Sequence, residues 1–275
     1  AASCRRDAAP PCAGASSPAC SSSSGGRGLE VGELDIGSGL FDPTHQSVRS
    51  QLITKLNLGG HTTIEEMQGF RGGLNEGVWF LNDPAQGSSK NGGKEELVMK
   101  LVKCQRVAQG IPTEAENCLK IYREHPGVIN DPAVAFPFKI FSCLGPSGTK
   151  RYDLIIMRKV RGERLAELIA RKWYSKQVPQ LMQILEKLGV CLADFHSRYG
   201  SSQHGDFQPS NIFCDEERDE IALIDVGGMG VPTMESDVEH FAKSMKLLAE
   251  AYGSQLSTDG MRHFERGYAK AAGKG

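Results

Sequence analysis

Long apolar runs and an excess of charge of one sign are both missing from this sequence of 275 residues. The best apolar run, residues 133–141, is short and is interrupted by Pro137 and Lys139, so it does not reach the length of a membrane-spanning helix. The 32 basic and 33 acidic side chains nearly cancel, which gives no electrostatic footprint for nucleic acid or an anionic membrane. We therefore expect neither nucleic acid nor a membrane as a partner.

Paired CxxC spacing is also missing, which argues against a zinc site. Three of the eight cysteines lie in the first 20 residues, and the other five are scattered: Cys104, Cys118, Cys143, Cys191 and Cys214. Isolated cysteines in apolar surroundings are typical of reduced core residues in an intracellular protein. We expect a reducing compartment, either the cytoplasm or an organelle.

Large apolar residues are nearly absent from residues 1–28, which are rich in Ala, Ser, Pro, Cys and Gly. The segment carries Arg5, Arg6 and Arg27 against one acid, Asp7, and it cannot bury enough surface to fold alone. Two interpretations stay open: plain disorder, or a transit-type targeting segment, which is also rich in Arg and Ser and poor in acids. We predict that residues 1–44 are disordered or serve targeting.

What is present divides the rest of the chain into two parts. The first part has strand patterns at residues 62–68, 78–82, 95–103, 136–143 and 152–157, helical patterns at 45–56 and 112–124, and a polar loop at 83–94. The second part has helical patterns at residues 163–173, 178–198, 237–252 and 258–271, with short strands at 212–214 and 220–224. The sequence predicts an α+β protein with a small antiparallel-sheet lobe at 45–160 and a mostly helical lobe at 161–275. The junction falls near residues 158–162, and ligands commonly bind between such units.

Two features of the first part suit a phosphate ligand, although the GxxxxGK[ST] phosphate loop is absent. Glycines in residues 71–77 would let backbone amides approach phosphate oxygens, but a glycine-rich hairpin can also be an ordinary turn. Lys100 stands inside an apolar strand and needs a partner or a ligand, unless its side chain reaches out to solvent. Glu114 and Glu116 are both candidates for that partner.

The strongest pattern is His204-Gly205-Asp206-Phe207-Gln208-Pro209-Ser210-Asn211, followed by Ile224-Asp225-Val226-Gly227. Transfer of a phosphoryl group needs a group that orients and deprotonates a hydroxyl, and oxygen ligands that hold Mg²⁺. Asp206 suits the first role, and Asn211 with Asp225 suits the second. A plain surface turn would use similar residues, but an apolar strand follows at once and a second acid ends the next strand.

These motifs resemble the aminoglycoside phosphotransferase and choline kinase group of the protein-kinase-like fold, which carries an HGDxxxxN loop followed by an IDxG strand end. Further segments resemble the group in the same order along the chain: Gly72-Gly73-Leu74-Asn75 its nucleotide loop, Val98-Met99-Lys100 its lysine strand, residues 155–162 its hinge, Leu192-Ala193-Asp194-Phe195-His196 its LAxLH, and residues 237–241 the start of the helix after the metal strand. The resemblance covers the chain from about residue 62 onward. It implies the two-lobed protein-kinase-like fold, with residues 45–160 as the nucleotide-binding lobe.

The resemblance also implies an ATP- and Mg²⁺-dependent phosphotransferase, with a role for each matching position. Asp206 would be the catalytic base, and Asn211 and Asp225 would bind Mg²⁺. The nucleotide would contact the loop residues Gly72, Gly73 and Asn75, the phosphate-binding Lys100 paired with Glu114 or less readily Glu116, and the backbone at Arg158 and Val160.

Departures from protein kinases point to the acceptor. Gly205 stands where protein kinases place Arg, no Ala-Pro-Glu follows Asp225, and the 50 residues after Asp225 leave no room for a protein kinase's activation segment and full helical lobe. We therefore expect a small-molecule hydroxyl as acceptor. A catalytically silent binding module and an atypical protein kinase are the alternatives. The acids Glu235, Asp237, Glu239 and Glu250 would form either an acidic surface for a cationic acceptor or a solvated helix face.

Overall fold

A computed structural model describes residues 28–37, 40–69, 71–84, 96–105 and 108–273. In these ranges the strands are β1 (Glu30–Asp35), β2 (Thr63–Glu66), β3 (Asn75–Asn82), β4 (Leu97–Lys103), β5 (Pro137–Leu144), β6 (Lys150–Arg158), β7 (Glu163–Arg164), β8 (Ile212–Asp215) and β9 (Glu220–Leu223). The helices are α1 (Gln46–Leu56), α2 (Glu114–Glu124), α3 (Leu165–Tyr174), α4 (Val178–Arg198), α5 (Asp237–Tyr252) and α6 (Ser254–Ala272). None of these described helices is long and apolar enough to cross a membrane.

The first lobe is a six-stranded sheet in the order β1-β5-β6-β4-β3-β2. Strands β2 to β6 pair antiparallel, whereas β1 pairs parallel with β5. Helix α1 covers one face, where Val48 and Leu52 join an apolar cluster with Met99 and Leu101 of β4. Residues alternate between faces along a strand, so Lys100 lies on the opposite face, toward α2.

Strand β1 falls inside the segment 1–44 that the sequence predicts to be disordered or targeting, so the predicted boundary at residue 45 is wrong for this part. Leu34 of β1 is fully buried, and the strand pairs from Glu30 opposite Lys139 to Asp35 opposite Leu144. The acids and the glycine of β1 are poor strand formers, and its partner strand β5 lies more than a hundred residues away. No local sequence pattern therefore predicts this strand. Residues 1–27 and most of the predicted loop 83–94 lie outside the described residues.

The second lobe is mainly helical, with a small sheet in the order β7-β8-β9. Helices α4 and α6 cross at two glycines: a Cβ on Gly189 would lie 2.0 Å from the carbonyl oxygen of Phe264, and one on Gly267 would overlap that of Glu186. Phe207, Phe241 and Phe264 pack together in the core beneath the loop between α4 and β8. The two lobes, sheet first and helices second, confirm the predicted α+β, two-lobed protein-kinase-like fold.

Candidate active site

Lys100 marks the point where three distant segments of the chain meet. Its Nζ lies 2.9 Å from Oε1 of Glu114 on α2 and 2.6 Å from Oδ1 of Asp225, which follows β9. The lysine side chain is only 13% exposed, so both ion pairs lie in a partly buried cleft between the lobes.

The start of helix α2 decides which glutamate pairs with Lys100. Thr113 caps the helix by accepting a hydrogen bond from the backbone N–H of Glu116, and the Glu116 carboxylate accepts one from the N–H of Thr113. This capping box uses Glu116 at the helix end. Glu114, on the first turn, is therefore the acid that reaches the lysine.

Charge in this cleft is unbalanced, because one ammonium group serves two carboxylates. Burial disfavours the ammonium, but Glu114 and Asp225 outweigh that effect and hold the pKa of Lys100 above its ordinary value. Burial also raises the pKa of Glu114, with a further contribution from the negative charge of Asp225 against the lowering effect of Lys100. A cation or a phosphate-bound metal arriving at Asp225 would relieve this excess of negative charge.

Asp206 lies in the loop between α4 and β8, with its carboxylate held from one side by two amides. Gln208 Nε2 donates to both carboxylate oxygens at 2.9 and 3.0 Å, and Asn211 Nδ2 donates to Oδ2 at 2.7 Å. Pro209 begins a short 3-10 turn that returns Asn211 beneath the aspartate. The Asp206 side chain is still 41% exposed, so a hydroxyl can reach it from the open side.

Two buried residues fix the loop that carries Asp206. Asp237, at the start of α5, accepts hydrogen bonds from the backbone N–H groups of His204 and Gly205 and lies 2.9 Å from Nε2 of His196. Burial alone would raise its pKa, but the hydrogen bond from His196 and those two amides lower it, so the carboxylate stays charged. The loop is thus held by a charged acceptor of three hydrogen bonds.

His204 links the loop to Asp225 as a neutral ring. Its Nε2 lies 3.0 Å from the carbonyl oxygen of Ile224, which can only accept, and its Nδ1 lies 3.3 Å from the N–H of Asp206, which can only donate. Only the neutral tautomer with the proton on Nε2 satisfies both. Burial lowers the pKa of His204, in agreement with that tautomer.

Asp225 itself adopts the left-handed backbone conformation, with φ 60° and ψ 44°. Non-glycine residues rarely do so, and aspartate is among the few that tolerate it. The preceding residue is fixed by a hydrogen bond from the N–H of Ile224 to the carbonyl of Asn211. This backbone bond brings Asn211 and Asp225, the two predicted metal ligands, to adjacent positions.

The donor set at this position fits Mg²⁺, although the described residues contain no cluster of three or more His, Cys, Asp or Glu side chains that could hold a metal. Asn211 uses its amide nitrogen on Asp206, and its side-chain oxygen is the atom that would face a metal. An amide oxygen and a carboxylate are hard ligands, and Mg²⁺ often takes only one or two protein groups, with phosphates and water supplying the rest.

The glycine-rich turn between β2 and β3 is closed by its own backbone. Gly72 and Asn75 exchange N–H···O hydrogen bonds of 2.9 Å, and Gly73 takes a φ of 58°. The side-chain oxygen of Asn75 accepts a hydrogen bond from the N–H of Gly77, so it stabilises the turn. Binding of phosphate by Gly72, Gly73 and Asn75 stays a prediction.

The predicted hinge residues end β6 and lead into the second lobe. Arg158 pairs with Leu97 in the sheet, and the N–H of Lys159 donates to the carbonyl of Glu96. The cavity of about 350 Å³ that Arg158 and Val160 line has no wall from Lys100 or from the loop that carries Asp206, so it is separate from the site. Contact of their backbone with adenine stays a prediction.

Sequence reasoning missed the residues that support the site from a distance. Gln208 and Asp237 belong to the sequence motifs, but nothing in their pattern predicts that they hold the Asp206 loop, and no pattern marks Asn117 of α2. Asp237 is buried, so it belongs neither to an acidic surface for a cationic acceptor nor to a solvated helix face, the two interpretations that the sequence leaves open. Glu239 caps the start of α5, and Glu235 pairs with Lys243.

One comparison with known proteins bears on this site. The model of the lipopolysaccharide kinase (Kdo/WaaP) family matches residues 129–230, about a third of the chain. The matched segment contains the hinge, the Asp206 loop and Asp225, whereas Lys100 and Glu114 lie before it. No curated protein matches the chain. The match supports a kinase of the protein-kinase-like fold, and membership of the aminoglycoside phosphotransferase and choline kinase group stays a prediction.

Proposed function

We propose that this protein is an ATP- and Mg²⁺-dependent phosphotransferase that acts on a hydroxyl group of a small molecule. The observation that carries the proposal is the pairing of Lys100 Nζ with both Glu114, at 2.9 Å, and Asp225, at 2.6 Å. Ion pairs of this kind between β4, α2 and the end of β9 suit a lysine that exchanges Asp225 for phosphate oxygens.

The chain's residues divide the chemistry between them. Asp206 accepts the proton of the acceptor hydroxyl while the hydroxyl oxygen forms a bond to the γ-phosphorus of ATP. The bond from that phosphorus to the bridging oxygen breaks, and its electron pair leaves with ADP. Lys100 holds the non-transferred phosphates, and Glu114 holds Lys100 in place. Asn211 and Asp225 would hold Mg²⁺, which supplies charge neutralisation at the phosphates when bound.

A small acceptor is favoured by Gly205, which replaces the arginine of protein kinases. Gly205 has a φ of 90°, and a Cβ there would lie 2.9 Å from the carbonyl oxygen of Gly228. An arginine at this position would be strained and would clash with the segment after Asp225. The arginine that protein kinases carry in this loop therefore has no place here, and this supports an acceptor other than a protein.

The proposal is tested with the full chain, by consumption of ATP across a panel of hydroxyl-bearing metabolites with and without Mg²⁺. Asp206→Asn should lower turnover by about 10²–10⁴, the usual cost of losing a general base. Asp194→Asn, the same change at an exposed position of α4, should leave turnover unaltered. If ATP with Mg²⁺ does not stabilise the protein in a thermal-shift titration, and no ATP is consumed, the protein is instead a catalytically silent binding module.

A further inference from the structure

We propose that His240 contacts the acceptor and orients its attacking oxygen toward the phosphate. Nε2 of His240 lies 3.5 Å from Oδ1 of Asp206, on the side of the carboxylate away from Asn211. That distance is too long for a good hydrogen bond, so the two groups stand apart but face each other. This inference rests on the proposed function, because it assigns a role beside the same base.

The position of His240 is set by the buried start of α5. Residues three apart lie on the same face of a helix, so His240 follows Asp237 on the side that meets the catalytic loop. Asp237 is fixed by the amides of His204 and Gly205, and Phe241, the next residue, is fully buried. The anchored start of α5 therefore fixes the position of His240 beside Asp206.

Both partners border open space, as an acceptor site requires. The side chain of His240 is 35% exposed and that of Asp206 is 41% exposed. A hydroxyl placed between them would donate its proton to Oδ1 of Asp206 and accept a hydrogen bond from Nε2–H of His240. Its remaining lone pair would then be free to attack the phosphorus, which is the geometry that positioning catalysis needs.

The amides that already hold Asp206 make this role specific to His240. Gln208 and Asn211 come from the loop itself and fix the carboxylate from beneath. Among the contacts of Asp206 with the described residues, His240 comes from another element and reaches the carboxylate across the open side. Gln208 and Asn211 therefore position the base, whereas His240 positions the attacking oxygen.

The test uses turnover of MgATP by the full chain, with water or the most active hydroxyl of the metabolite panel as the attacking molecule. His240→Ala should lower the turnover rate about tenfold or more, while the KM for MgATP changes less than about twofold, because the proposed contact of His240 is with the attacking oxygen. His240→Gln, which keeps a donor near the position of Nε2, should recover most of the rate, whereas His240→Phe should not. Lys246→Ala, at an exposed position of the same helix, is the matched control.

Each outcome decides between the two claims. Turnover by the unmodified chain together with an unchanged rate in His240→Ala overturns the role of His240 and leaves the proposed function intact. Equal losses in His240→Gln and His240→Ala also overturn it, since packing and not the donor would then matter. Absence of turnover in the unmodified chain, with water and with every hydroxyl of the panel, overturns the proposed function, and the role of His240 falls with it.

Discussion

Asn117 of helix α2 and Gly227, two residues after Asp225, are joined by a hydrogen bond of 2.9 Å from the asparagine amide to the glycine carbonyl. The same amide donates a second bond of 2.9 Å to the carbonyl of Met229. Asn117 is buried, so both amide hydrogens are committed to the segment that follows Asp225. Helix α2, which carries Glu114, and the segment that carries Asp225 are therefore locked together by a polar clamp.

Replacing Asn117 with Leu should uncouple α2 from Asp225. The buried carbonyl of Met229 and the partly buried carbonyl of Gly227 would lose their partner, at a cost of about 1–3 kcal/mol. We expect ATP turnover to fall about tenfold with a raised KM for ATP, because Lys100 and Glu114 lose their fixed distance from Asp225. Lys120→Ala, at an exposed position of α2, is the control; equal turnover in the two variants would show that the clamp has no role.

Gly227 also allows the close approach of Glu114, because it has no side chain. A Cβ at Gly227 would overlap Cγ of Glu114 and would come within 3.0 Å of Oε1. Gly227→Ala should push Glu114 away from Lys100 and weaken nucleotide binding. A thermal-shift titration with ATP should show at least about a tenfold loss of affinity.

The control for that substitution is Gly127→Ala. Gly127 has open space around its Cβ position and an unexceptional backbone. If Gly227→Ala binds ATP as tightly as Gly127→Ala does, the contact between Gly227 and Glu114 does not control the position of Lys100 for nucleotide binding.

The contrast between what the sequence predicts and what it misses follows the range of the interactions. Helices α4 and α5 have the predicted bounds, because continuous helical periodicity and, for α5, the capping pair of Ser236 and Glu239 are local signals. The spacing of Asp206, Asn211 and Asp225 is equally local to one loop and one hairpin. Strand β1 and the Asn117 clamp depend instead on partners about a hundred or more residues away, and an asparagine inside a helix has no pattern that announces such a partner.

The crossing of α4 and α6 should tolerate no side chain at Gly267. A Cβ there would overlap the carbonyl oxygen of Glu186, which belongs to helix backbone and cannot turn aside. Gly267→Ala should lower the free energy of unfolding by about 1–3 kcal/mol or more, the cost of overpacking a core. Denaturant unfolding measures this, and Gly60→Ala, where the Cβ position is open, should change the value little. Similar unfolding midpoints in both variants would contradict the close crossing.

Acid should destabilise the fold through His204, beginning below its ordinary pKa of about 6.5. Because burial lowers the pKa of His204, the unfolded chain takes up a proton there that the folded chain refuses. The contribution of the neutral His204 ring to the free energy of unfolding should therefore be fully present above pH 6.5. It should fall as the pH drops below that value, by at most about 1.4 kcal/mol per pH unit. In His204→Gln the protein should be less stable at pH 7.5, since the bond to Ile224 is altered, but its stability should depend less on pH between 7.5 and 5.5. Both proteins are measured by denaturant unfolding at each pH, and groups common to the two cancel in the comparison, so the difference in slope isolates His204; parallel slopes would show that the ring is not held neutral in the fold.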